Sequence, residues 1–132
     1  MALYVGMDAG GTRTRAAVLD AAGTLRGAAE GPGGNPVSHA PDRALDALAG
    51  AQRAALGVLP AADVRGLVLG LAGAGPTGGV AGAALACAAG LTCPVQVVGD
   101  VVTAFAAGTA EPDGTVLVSG TGATAVRIVA RR

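Results

Sequence analysis

The sequence predicts an α/β fold in which an antiparallel three-stranded meander leads into helix-covered, parallel strands of one mixed sheet. Three observations predict it. The first thirty residues alternate short apolar runs with Gly and Asp turns too brief to hold a crossover helix. From Asp42 onward, strand-length apolar runs alternate with segments of helical period. A chain of 132 residues with 52% hydrophobic side chains can bury one core, and is too short for two ordinary domains.

The elements follow in order. Strands are expected at Leu3 to Met7, Ala16 to Leu19 and Thr24 to Ala28, the last two joined by the hairpin chemistry of Asp20-Ala-Ala-Gly23. Gly31 to Pro41 has three prolines and three glycines, so it reads as an exposed loop leading into a helix. That helix spans Asp42 to about Leu56, with Leu45, Leu48, Ala49, Ala55 and Leu56 on one face. A strand at Gly66 to Ala72, a helix at about Gly79 to Ala89 closed by Gly90, and a strand at Val95 to Val98 continue the alternation. A short helix at Val101 to Ala107, a turn at Glu111 to Gly114 and strands at Val116 to Ser119 and Ala123 to Val129 complete it. This order is the ribonuclease-H-like lobe pattern, which constrains chemistry only by analogy.

Composition excludes several function classes. Nine basic and nine acidic residues cancel, leaving no electrostatic footprint for nucleic acid or an anionic membrane surface. All nine cations are Arg, which removes a Walker-A phosphate loop and a Schiff-base lysine. Cys87 and Cys93 lack a second pair or a nearby His, so they read as reduced core or near-core thiols. The 34 uncharged residues from Gly66 to Gly99 are broken by Pro76, Pro94 and many glycines, and their Ala and Gly supply little transfer energy for a membrane span. The start, MALYVGMDAGG, has neither a basic segment nor a long apolar one, so a cytoplasmic location is expected. His39 and the Arg131-Arg132 end are expected at the surface.

With 23 Gly in the chain, roughly four G-x-G triplets arise by chance, so each glycine motif needs its context. In Asp8-Ala-Gly-Gly-Thr-Arg-Thr14 a carboxylate ends an apolar strand. Gly10 and Gly11 let backbone N–H groups converge on an anion, Thr12 and Thr14 offer hydroxyls, and Asp8 would hold Mg²⁺ through water. The same residues also make an ordinary tight hairpin with Asp8 bonded to its own turn. Ser119-Gly120-Thr121-Gly122 is a second such turn, and if the two meet they clasp a polyphosphate from both sides without a lysine. Between them in sequence, Asp100 follows a strand and opens a helix. It reads equally as an N-cap and as a base for a hydroxyl attacking a γ-phosphate.

Taken together, MDAGGTRTRAAVLD, GPGGN, LGLAGAG, VVGDVVTAFAAG and DGTVLVSGTGA resemble, in order and over nearly the whole chain, the BadF/BadG/BcrA/BcrD-type ATPase family and its N-acetylglucosamine kinases, within the sugar kinase, heat-shock chaperone and actin superfamily. The resemblance implies ATP and Mg²⁺ as cofactors and an amino sugar as substrate. It implies Asp8 to Thr14 and Ser119 to Gly122 as the two phosphate turns, Asn35 on the sugar hydroxyls and Asp100 as catalytic base. Ala123 stands where the kinases commonly carry a serine, which leaves the sugar contact there to Thr124 or to neither residue. Family members continue into a second lobe with the adenosine pocket. The chain is therefore expected to be an amino-terminal lobe over residues 1–132, completed by a companion chain or a homodimer and inactive alone.

Three other readings compete. Gly73-Ala-Gly75-Pro-Thr-Gly78 matches the dinucleotide fingerprint G-x-G-x-x-G, with Asp100 placed 22 residues beyond Gly78. An ATPase activator of the same family would need iron–sulfur ligands, and Cys87 and Cys93 precede the second turn rather than follow it. A non-catalytic nucleotide-binding remnant that packs against a partner is the third.

Overall fold

The computed structural model describes residues 1–73, 78–120 and 122–132, with side chains placed from 81 onward in the second segment. Strands β1 (Leu3–Ala9), β2 (Arg13–Asp20) and β3 (Leu25–Pro32) form the expected meander. Helix α1 (Pro41–Leu56) leads to β4 (Val64–Leu71), α2 (Gly78–Ala89) to β5 (Val95–Gly99), and α3 (Asp100–Gly108) to a hairpin of β6 (Gly114–Ser119) and β7 (Ala123–Ile128). The main sheet has the order β3-β2-β1-β4-β5, antiparallel through the meander and parallel from β1 to β5. It is the mixed ribonuclease-H-like sheet. One expectation is corrected: β6 and β7 pair only with each other in a separate two-stranded sheet.

Alternation along each strand decides the core. Leu3, Val5, Met7 and Ala9 of β1 and Leu67, Leu69 and Leu71 of β4 are buried on one face, beneath α1 and α2. On that face β3 presents only Gly27, Ala29 and Gly31, so the α1 backbone lies close over it beside Ala51 and Ala55. Helix α1 starts on Pro41, whose missing N–H is no loss at a helix start, and ends at Gly57, whose N–H bonds the Arg53 carbonyl. Helix α2 closes on Gly90 in the left-handed conformation, with Leu91 N–H on the Ala86 carbonyl and the Leu91 side chain in the core.

The opposite face is thinly covered. Among the described residues only α3 crosses it, resting over β4 because Gly70 has no side chain to hold Thr103 away. The ribbon β6–β7 packs on α3 through Phe105, which is buried against Gly114. Arg131 and Arg132 are exposed as expected, and Arg131 anchors the ribbon by donating to the Glu111 and Thr109 carbonyls. Cys87 is exposed rather than near the core, whereas Cys93 is packed against it. No helix of the described residues is long and apolar enough to cross a membrane.

Candidate functional site

The register of the parallel strands builds the site. Ala9 lies beside Leu71, and Leu71 beside Gly99, so β1, β4 and β5 end level with one another. The Asp8–Gly11 turn, the Ala72–Gly73 exit and Asp100 therefore share the carboxyl edge of the sheet, where ligands of open α/β sheets bind. Two strand spacings separate the β1 and β5 ends, about 10 Å. Asp8 is on the α3 face, and α3 begins at Asp100.

Neither carboxylate is consumed locally. Asp8 is exposed and, among the described residues, takes part in no ion pair or side-chain hydrogen bond. The self-bonded hairpin reading therefore does not hold: the turn closes by Gly10 N–H on the Arg13 carbonyl instead. Asp100 is exposed as well. The N-cap of α3 is Gly99, with no side-chain capping bond, so the N-cap reading of Asp100 is corrected to the first residue of the helix. Its backbone carbonyl accepts the Thr103 hydroxyl at 2.8 Å. A carboxylate at a helix start still complements the dipole.

Asn35 arrives from the loop after β3. That loop is not wholly exposed as expected: Gly33, Gly34 and Asn35 are buried. Gly33 lies against the Gly11 carbonyl so closely that a Cβ would overlap it. Asn35 N–H reaches the Gly10 carbonyl at 3.3 Å, its Nδ2 donates to the Ala72 carbonyl at 3.2 Å, and its Oδ1 accepts Val37 N–H at 2.9 Å. The His39 ring bonds the Gly11 carbonyl. This loop and the glycine turn thus form one bonded unit. One N–H and one lone pair of the Asn35 amide have no partner among the described residues.

Other expected site residues fall elsewhere. Thr12 is exposed in the turn, whereas Thr14 is fully buried on the α1 face with its Oγ1 unpartnered, on the other side of the sheet from Asp8. Ser119, Gly120 and Gly122 sit at the tip of the separate ribbon with Ala123 and Thr124, all exposed. Gly120 N–H closes that tip on the Gly122 carbonyl at 2.8 Å. Thr121 lies outside the described residues. Among the described residues no hydrogen bond joins this tip to the Asp8–Gly11 turn, and the ribbon's main contact is with α3.

For a metal, no group of three or more ligating side chains occurs among the described residues. A single free carboxylate suits Mg²⁺, which keeps its waters and shares its charge with phosphates, and does not suit an all-protein cage. The dinucleotide reading does not fit the topology. Its glycines follow β4, an inner strand of a sheet whose other half is antiparallel, rather than the first strand of a parallel unit. Gly75 lies outside the described residues.

Sequence reasoning missed the cross-strand row on the α3 face. Glu30, Arg15, Asp8, Gly70 and Val98 stand side by side on β3, β2, β1, β4 and β5. Glu30, Arg15 and Asp8 of this row line a groove of about 940 Å³ floored by small residues such as Gly6, Ala17 and Ala28. The alternation of Arg13 and Arg15 along β2 and the lone Glu30 in β3 were visible in the sequence, but the register that aligns them was not.

No protein-family profile matches the chain, and no curated protein does. Solved structures do. The chain is similar to a protein assigned as an N-acetylglucosamine kinase from Porphyromonas gingivalis, at 24% identity and TM-score 0.79, over 100% of this chain and 46% of that one. A second protein so assigned, from Chromobacterium violaceum, matches at 25% identity and TM-score 0.71, over 95% and 44%. A ROK family glucokinase from Streptomyces griseus, solved with glucose and AMPPNP, matches at 23% identity and TM-score 0.69, over 98% and 45%. The likeness establishes the fold as that found in sugar kinases of the actin-like class. The chain spans a little under half the length of these structures.

Proposed function

We propose that the chain is one lobe of an ATP-dependent sugar kinase, acting on an amino sugar such as N-acetylglucosamine. The observation that carries this reading is the level ending of β1, β4 and β5. It gathers a glycine turn, a buried Asn and an unengaged Asp on one sheet edge, in a fold shared with sugar kinases.

In this reading Gly11 offers its backbone N–H to phosphate, Gly10, whose own N–H is held on the Arg13 carbonyl, leaves the approach clear of a side chain, and Asp8 would hold Mg²⁺ through water. Mg²⁺ would supply charge neutralisation on the phosphates when bound. Asp100 orients the sugar hydroxyl and takes its proton, and Asn35 uses its remaining N–H and lone pair on the sugar. Thr14 has no part in this, because its hydroxyl is enclosed on the far face. The second phosphate turn, Ser119 to Gly122, sits on the separate two-stranded ribbon. In this reading a companion chain or a second copy would supply the second lobe with the adenosine pocket.

Amide chemical shifts test this directly. Mg²⁺ with AMPPNP should move Gly10 and Gly11, weakly for this chain alone, and N-acetylglucosamine should move Asn35 and Asp100. Shifts at Gly73 and Gly78 without any at Gly10 would reject it.

A further inference from the structure

Arg15 lies directly opposite Asp8 across β1 and β2, at the cross-strand distance where opposite charges ordinarily pair. It does not pair there. Its Nε sits 3.1 Å from Glu30 Oε1, on its other flank, and Arg13 reaches Glu30 Oε2 at 3.8 Å. A bulge between Val18 and Leu19 in the β2–β3 register brings this about, by putting Arg15 opposite Glu30; unshifted pairing from Leu19 and Leu25 would have set it against Ala29. A one-residue shift exchanges the faces of a strand, so without the bulge Glu30 would point at α1.

We infer that Glu30 is a positioning residue that holds Arg15 away from Asp8, leaving the Asp8 carboxylate free for the divalent cation that accompanies a polyphosphate. The inference rests on Asp8 as the cation-bearing group. Both side chains of the Arg15–Glu30 pair are 58% exposed, so the pair is weak in itself. Its consequence is a choice of partner. Without Glu30, the carboxylate facing Arg15 across the strands is Asp8, and a guanidinium there competes with the cation for the same oxygens.

Two measurements on the purified chain test this. The first needs no metal. In Glu30→Ala the Arg15 Nε–H resonance should shift, and adding Asp8→Asn should shift it again because Arg15 has moved to Asp8; an Arg15 resonance indifferent to Asp8 overturns the inference. The second titrates Mn²⁺ with AMPPNP and reads paramagnetic broadening at Asp8 to Gly11. Glu30→Ala should weaken the binding roughly two- to fivefold, the scale of an exposed ion pair. Glu30→Ala with Arg15→Ala should restore it, and an unrestored double variant overturns the inference. Wild-type broadening with an unchanged Glu30→Ala overturns the Glu30 role alone. Absence of broadening around Asp8 in the wild type overturns the cation reading of Asp8 and this inference with it.

Discussion

The Asn35 side-chain amide donates to the Ala72 carbonyl at 3.2 Å, tying the loop after β3 to the exit of β4 across 37 residues of sequence. The same residue holds the glycine turn through its backbone N–H on Gly10. Asn35 is thus a structural latch as well as the expected sugar contact. Asn35→Ala should remove both side-chain bonds, leave Val37 N–H and the Ala72 carbonyl without that partner, and destabilise the chain by about 1–3 kcal/mol. A urea midpoint measures the loss. Asn35→Asp keeps the acceptor for Val37 and loses the donor, so it should retain part of the stability. An unchanged midpoint in Asn35→Ala would show the latch to be idle.

Gly70 lets α3 rest on β4, and α3 begins with Asp100. A Cβ at Gly70 would run into Thr103 Oγ1 and Cγ2. Gly70→Ala should therefore push the helix outward at a cost of about 1–3 kcal/mol, the usual scale of overpacking. Thr103→Ala, added to it, removes the two nearest atoms and should recover part of the loss. Thermal unfolding of the three proteins decides, and non-additivity is the expected sign of contact.

Gln52 is fully buried in α1, and among the described residues neither end of its amide has a hydrogen-bond partner. An apolar side chain of similar volume escapes that desolvation cost. Gln52→Leu should raise stability by about 1 kcal/mol, read from the urea midpoint. A clear loss instead would mean that the amide is bonded, for example to an enclosed water.

If the proposed kinase reading holds, Asp100→Asn in a protein completed by a second lobe should lower turnover by roughly a hundredfold or more, as loss of a general base does. Nucleotide affinity should be spared. The melting temperature should hardly move, because the carboxylate makes no side-chain cap. Retained turnover would remove Asp100 from the base role, and lost nucleotide affinity would move it to the phosphates.

Local signals in the sequence were enough for the elements and their order. Short apolar runs marked each strand to within a few residues, the helical pattern from Asp42 to Leu56 located α1, and Gly90 closed α2, because these choices depend on neighbours in the chain. The candidate glycine turn and acid were legible for the same reason, as residue types standing at strand ends. What the sequence did not reveal was lateral. That Asp8 and Asp100 share an edge depends on β4 lying between β1 and β5. That Thr14 turns inward on the face away from Asp8, that β6–β7 leaves the main sheet, and that Arg15 meets Glu30 depend on register and on a single bulged residue. Pairing between strands is set by the packing of side chains far apart in sequence. A one-residue shift costs the local pattern nothing yet reverses every side chain on the strand, so only the assembled sheet could decide which groups face a ligand.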